Sequence, residues 1–200
     1  MDREALGAVF LSASVPDPLR HPRYIDSADL IGIREAVLAL VQVVLPRTRL
    51  VFGGHPAISP LVVMAADRVR LRGQVRIFQS ELFRAIVPPE SLAFPCIEWT
   101  DSVSRDLEPS LRAMREQMLA SEAFAAGVFI GGMDGVEAEY AMFQQRCPAV
   151  PAYAIASTGA AALQLWQKHP QEDQTLQKQL RDELVYESLF RSLRGVGCPL

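Results

Sequence analysis

Short apolar runs that end in small residues alternate with longer stretches of helical period along this chain. Ala8-Val-Phe-Leu-Ser-Ala-Ser14 is a continuous run of β-formers, the pattern of a strand buried on both faces. Comparable runs predict strands near 49–53, 74–79, 125–130 and 150–156, with a further strand at Cys96–Thr100. Between them the period changes. A helix capped by Asp26 or Ser27 is predicted through Leu45, where Pro46 closes it. Others follow Pro60 as far as Arg70, cover Leu107–Ser121 and Val136–Arg146, and begin after Gly159. One long amphipathic helix is expected over Glu172–Arg194. Two stretches lack either period: the proline-rich Val15–Arg23 loop, which carries Arg20 and Arg23, and a lid-like segment from Glu81 to Pro95. Strands alternating with helices over the whole length predict an α/β fold, Rossmann-like and doubly wound. Its mainly parallel sheet has helices on both faces, within a single domain spanning 1–200.

Composition narrows the function classes. With 200 residues and half of them hydrophobic, the chain is long enough for a sizeable core. A net charge of -3 argues against nucleic acid as a partner. Of the 20 basic residues only Lys168 and Lys178 are lysine, so arginine abundance by itself marks no site. Cys96, Cys147 and Cys198 are few and far apart, and His21, His55 and His169 are equally scattered. That spacing suits neither a metal site nor a disulfide framework, and it points to a reducing, cytoplasmic setting. No apolar run reaches membrane-spanning length, so no membrane association is expected.

The candidate chemistry lies where strands run into turns. The chain is organised around the stretch from Ala126 to Tyr140, where a strand enters Gly131, Gly132, Met133, Asp134 and Gly135 and then a helix bearing Glu137 and Glu139. Glycines let backbone amides approach a ligand, and a helix start favours a phosphate. Gly53, Gly54 and His55 form a second such turn, and Ser157, Thr158 and Gly159 a third. Ser12 and Ser14 end the first strand. In an open parallel sheet these turns converge on the carboxyl edge, where ligands bind. Arg112 and Arg115, three apart, share a helix face.

The order of these turns resembles the SLOG superfamily, which includes the "lonely guy" phosphoribohydrolases, the Smf/DprA proteins and the ligand-sensing region of TRPM channels. The phosphoribohydrolase pattern is Pro-Gly-Gly-x-Gly-Thr-x-x-Glu, with a helical arginine fifteen residues before its proline. Here Ile130 stands at the proline, Gly131 and Gly132 match, and Gly135 matches after one extra residue. Glu139 falls at the glutamate and Arg115 at the arginine. Val136 replaces the threonine, and Asp134 is the extra residue. Phe10-Leu-Ser-Ala-Ser-Val-Pro-Asp-Pro18 and Phe52-Gly-Gly-His-Pro-Ala-Ile-Ser-Pro60 are similar to a bacterial subgroup tied to conflict and phage-defence systems. The resemblance implies a sensor of a nucleotide or an NAD- or ADP-ribose-derived ligand, with no other cofactor required. A homo-oligomer and an effector protein are expected as partners. The alternative it implies is a phosphoribohydrolase that breaks the N-glycosidic bond of a nucleoside monophosphate, with Arg115 and Glu139 catalytic. The missing hydroxyl at Val136 and the added charge of Asp134 favour binding over cleavage.

Overall fold

The computed structural model describes residues 7–19 and 22–198. Arg20 and His21 lie outside the described residues. Six strands form one sheet in the order β4-β3-β2-β1-β5-β6. They are β1 (Ala8–Ser14), β2 (Leu50–Phe52), β3 (Val75–Ser80), β4 (Ile97–Thr100), β5 (Phe124–Gly131) and β6 (Ala152–Ile155). All five pairings are parallel, which confirms a Rossmann-like α/β architecture. The chain builds outward from β1 to β4 and then returns to place β5 on the other side of β1. That reversal makes the topological switch point, and its carboxyl ends are Ser14 and the paired Gly131.

β1 and β5 are central and buried on both sides, so their runs are apolar without alternation. Val9 and Leu11 face a core built with α2 (Leu30–Val44), α3 (Ser59–Arg68), α8 (Gln174–Asp182) and α9 (Tyr186–Ser192). Phe10 faces the opposite core with α5 (Leu107–Ala120), α6 (Asp134–Arg146) and α7 (Ala160–Lys168). There Phe10 stacks on Phe143 at 5.4 Å and meets Phe124 and Phe129 edge-on. Gly127 is small for a reason: a Cβ there would lie 2.9 Å from the Phe143 ring. Burying a phenylalanine of this kind contributes about 1.5–3 kcal/mol.

Several element boundaries differ from the pattern-based reading. α2 starts at Leu30, because Asp29 and not Asp26 or Ser27 is the cap, accepting from the Gly32 amide at 2.8 Å. The proline-rich loop contains one short turn of helix, α1 (Pro22–Ile25). The 81–95 segment is not a free lid. It holds a 3-10 turn and the short α4 (Pro89–Leu92), and Ser91 is pinned to Ser59 of α3 by a buried 2.9 Å hydrogen bond. The expected helix over 172–194 is two helices, α8 and α9, broken at Glu183–Val185, where the Glu183 carboxylate accepts from the Val185 amide. The three cysteines are unpaired with one another. Among the described residues no helix is long and apolar enough to cross a membrane.

Candidate functional site

Because the sheet is wholly parallel, the turns after β1, β2, β5 and β6 all open on its carboxyl edge. β1 and β5 are tied together there: the Gly132 amide donates to the Ser14 carbonyl at 2.8 Å. Gly131 and Gly132 have φ of 56° and 87°, the left-handed region where glycine is favoured. Side chains at these positions would meet Ile33 and Val136. Met133 then acts as the N-cap of α6, with no side-chain bond to the first-turn amides. Its sulfur accepts from the Asp17 amide at 3.3 Å, drawing the β1 loop over the start of the helix.

α6 begins at Asp134, two residues ahead of the expected Val136, so Gly135 lies inside the helix and not in the turn. A Cβ there would lie 3.4 Å from Arg115 Nη2, an ordinary contact with the end of a flexible side chain, so the position sits directly beside the arginine. Arg115 comes from α5 and is 9% exposed. Its Nε donates to Glu139 Oε1 at 3.2 Å. Both side chains are largely shielded, 11% and 14% exposed, so this pair is held firmly across α5 and α6. Arg112 instead pairs with Glu116 on the exposed face of its own helix.

Ser12 is 1% exposed and its hydroxyl has no hydrogen-bond partner. It sits on β1 one step beyond the Leu11–Phe52 pair, level with Gly53. Buried hydroxyls without partners are rare in folded proteins and mark strain, water or a ligand position. Gly53 lies against Met114 of α5, and Gly54 takes a φ of 62°. His55 shapes this turn: its carbonyl accepts from the Ile58 and Ser59 amides, and its Nδ1 from the Ala57 amide.

The third turn is occupied internally. Thr158 is fully buried, donates to the Ile155 carbonyl at 2.6 Å and accepts from the Gly131 amide at 2.9 Å. Ser157 donates to the Tyr186 hydroxyl, and Gly159 packs against the Ser27 backbone. These residues brace the glycine turn from behind. The structure thus gathers Ser12, Ser14, Gly53, Gly54, Gly131–Gly135, Arg115 and Glu139 around one edge, with Ser157–Gly159 as their support.

Two contributors carry no sequence signal of their own. Gln79 of β3 is buried, and its amide donates to the Gly53 and Gly54 carbonyls at 3.0 and 2.8 Å. Tyr24 of α1 is fully buried and donates to Glu137 of α6 at 3.0 Å. Burial pushes the Tyr24 phenol above its ordinary value, so it stays protonated as a donor. Glu137 is also reached by Lys168 at 3.3 Å and Arg23 at 3.9 Å. Arg23 therefore meets the acidic first turns of α6. Among the described residues no cluster of three or more His, Cys, Asp and Glu side chains is placed to hold a metal ion.

A groove of about 1030 Å³ lies away from the glycine turns. It runs along the outside of α5 and α6, between Arg112, Glu116, Met142 and Arg146, and reaches the candidate site only at Arg115. Strand-end geometry is the better guide to the site, because it rests on fixed backbone groups rather than on long exposed side chains.

Fold and site define a Rossmann-like α/β protein with a glycine-turn edge at its switch point. The family model described as the SLOG cluster3 family matches residues 23–193, and the chain belongs to that family. Membership suggests a nucleotide-related function. No curated protein matches the chain.

Proposed function

We propose that this protein is a sensor that binds a nucleotide, or an NAD- or ADP-ribose-derived ligand, at the carboxyl edge between β1 and β5. The observation that carries the reading is the unpartnered Ser12 hydroxyl at the switch point. A ligand polar group seated there supplies the missing bond. Arg115 has spent one donor on Glu139 and keeps others for a phosphate or ribose oxygen. Asp134 adds negative charge in the first turn of α6, which disfavours a phosphate placed firmly enough for fast cleavage. Occupancy, passed to an effector protein or a second copy in a bacterial defence setting, is then the output.

The second reading, a phosphoribohydrolase, is supported by the Arg115–Glu139 pair at 3.2 Å. There Glu139 faces the ribose carbon as positive charge grows, and Arg115 positions it. One experiment separates them. Titrate with NAD, ADP-ribose, AMP and cyclic nucleotides, following melting temperature and heat. A ligand at a hundred times its Kd stabilises by about 2.7 kcal/mol. The same mixtures, resolved by chromatography, should hold intact nucleotide after prolonged incubation. Rapid release of base and ribose 5-phosphate, lost in Glu139→Ala, would overturn the sensor reading. Failure of every nucleotide to bind would overturn both.

A further inference from the structure

The Gly53–Gly54 turn is not held by its own chain. Its two successive carbonyls both accept from one buried side chain, Gln79 Nε2 of the neighbouring strand. Two carbonyls drawn to a single donor fix the tilt of two peptide planes. In a trans peptide the N–H points opposite to the C=O of the same plane. The Gly54 amide, which shares a plane with the Gly53 carbonyl, therefore points away from the Gln79 side-chain amide. β2 lies between β3 and β1, and on β1 the residue level with Gly53 is Ser12. Its orphaned hydroxyl is thus in the same row as the turn. Gly54 must be a glycine for this arrangement: its φ is 62°, and a Cβ would collide with the Gln79 amide.

We infer that Gln79 is a positioning residue that aims the Gly54 amide, beside the Ser12 hydroxyl, at an anionic group of the ligand. The inference rests on the nucleotide reading and adds where the phosphate is recognised: at the β2 turn, away from the acidic start of α6. A backbone amide beside a hydroxyl can donate to two oxygens of one phosphate. This placement also removes the conflict between a phosphate ligand and Asp134, since the anion is received two strands' ends away from that carboxylate.

The test uses the full chain, AMP, adenosine and orthophosphate. In amide NMR spectra AMP should shift the Gly54 resonance strongly and adenosine only weakly. Gln79→Leu keeps the side-chain volume but frees both carbonyls. It should lower AMP affinity tenfold or more, leave adenosine affinity within twofold, and abolish the Gly54 shift. A structural role alone would weaken both ligands together. AMP binding with an unmoved Gly54 amide, or an unchanged ratio of AMP to adenosine affinity in the variant, would overturn the assignment while leaving the nucleotide reading intact. If AMP, ADP-ribose and NAD all fail to bind, the nucleotide reading falls instead. Orthophosphate then decides the Gly54 assignment on the wild-type protein, a shift supporting it and silence refuting it.

Discussion

Arg115 and Glu139 show how little of a residue's role lies in its identity. Each is a common surface charge, yet here both are nearly enclosed between α5 and α6. Removing one partner leaves the other shielded and unpaired, which costs more than the pair is worth. A double-mutant cycle of Arg115→Ala and Glu139→Ala in urea should therefore give a coupling of roughly 0.5–3 kcal/mol. A coupling indistinguishable from zero would mean that the two side chains part in solution. These two residues were singled out in the sequence by their resemblance to the phosphoribohydrolase pattern on both sides of the glycine turn. Gln79 was not. A glutamine inside an apolar strand has no signature, and its importance comes from the neighbouring strand's carbonyls, which only the fold brings into reach. Thr158 was legible as a turn residue, but its inward hydrogen bonds to β5 and β6 were not.

At the scale of elements, type and order were legible, while ends and breaks were less so. Strands with continuous apolar runs stand where the pattern put them, within a residue or two. The long C-terminal helix does not, because leucine spacing across Glu172–Arg194 satisfies helical period even where the chain breaks. Leu184 and Val185 at the break are 65% and 64% exposed, which no amphipathic count anticipates. The loop after β1 was legible only as irregular, and α1 within it gained its place from a tertiary contact. Tyr24 fills the core beside α6 and bonds Glu137. Tyr24→Phe keeps the ring and removes the bond, so stability should fall by about 1 kcal/mol, read from the denaturant midpoint. A shift below a few tenths would show that packing alone seats α1.

Across the whole molecule, burial has one titration consequence. All four tyrosines, Tyr24, Tyr140, Tyr153 and Tyr186, have their phenols raised, with burial as the leading cause in each. In the unfolded chain a tyrosine loses its proton near pH 10. The folded state holds its protons longer, so this contribution is complete below about pH 10 and is lost as pH rises beyond it. Melting temperature should thus hold steady with respect to these groups at neutral pH and fall steeply above about pH 10. Phenolate absorbance should appear together with unfolding. A tyrosine ionising at its ordinary pH in a protein that stays folded would break the expectation.

The return of the chain from β4 to the centre of the sheet has a consequence for how the molecule comes to exist. β1 has two neighbours, and they belong to different times in synthesis: residues 50–52 soon after it, residues 124–131 far later. Contacts that close so long a loop form late, after nearer ones have repaid their entropy. On a ribosome, the β1-to-β4 half is complete in outline while one flank of β1 still lacks its partner. The row holding Ser12 and Gly53 belongs to the early half, whereas the Gly131–Gly132 turn, Glu139 and the bracing Thr158 arrive with the last third of the chain. A truncation or stall before residue 124 therefore leaves a sheet with half a rim and an exposed hydrophobic strand edge, the kind of species that aggregates and that quality control removes.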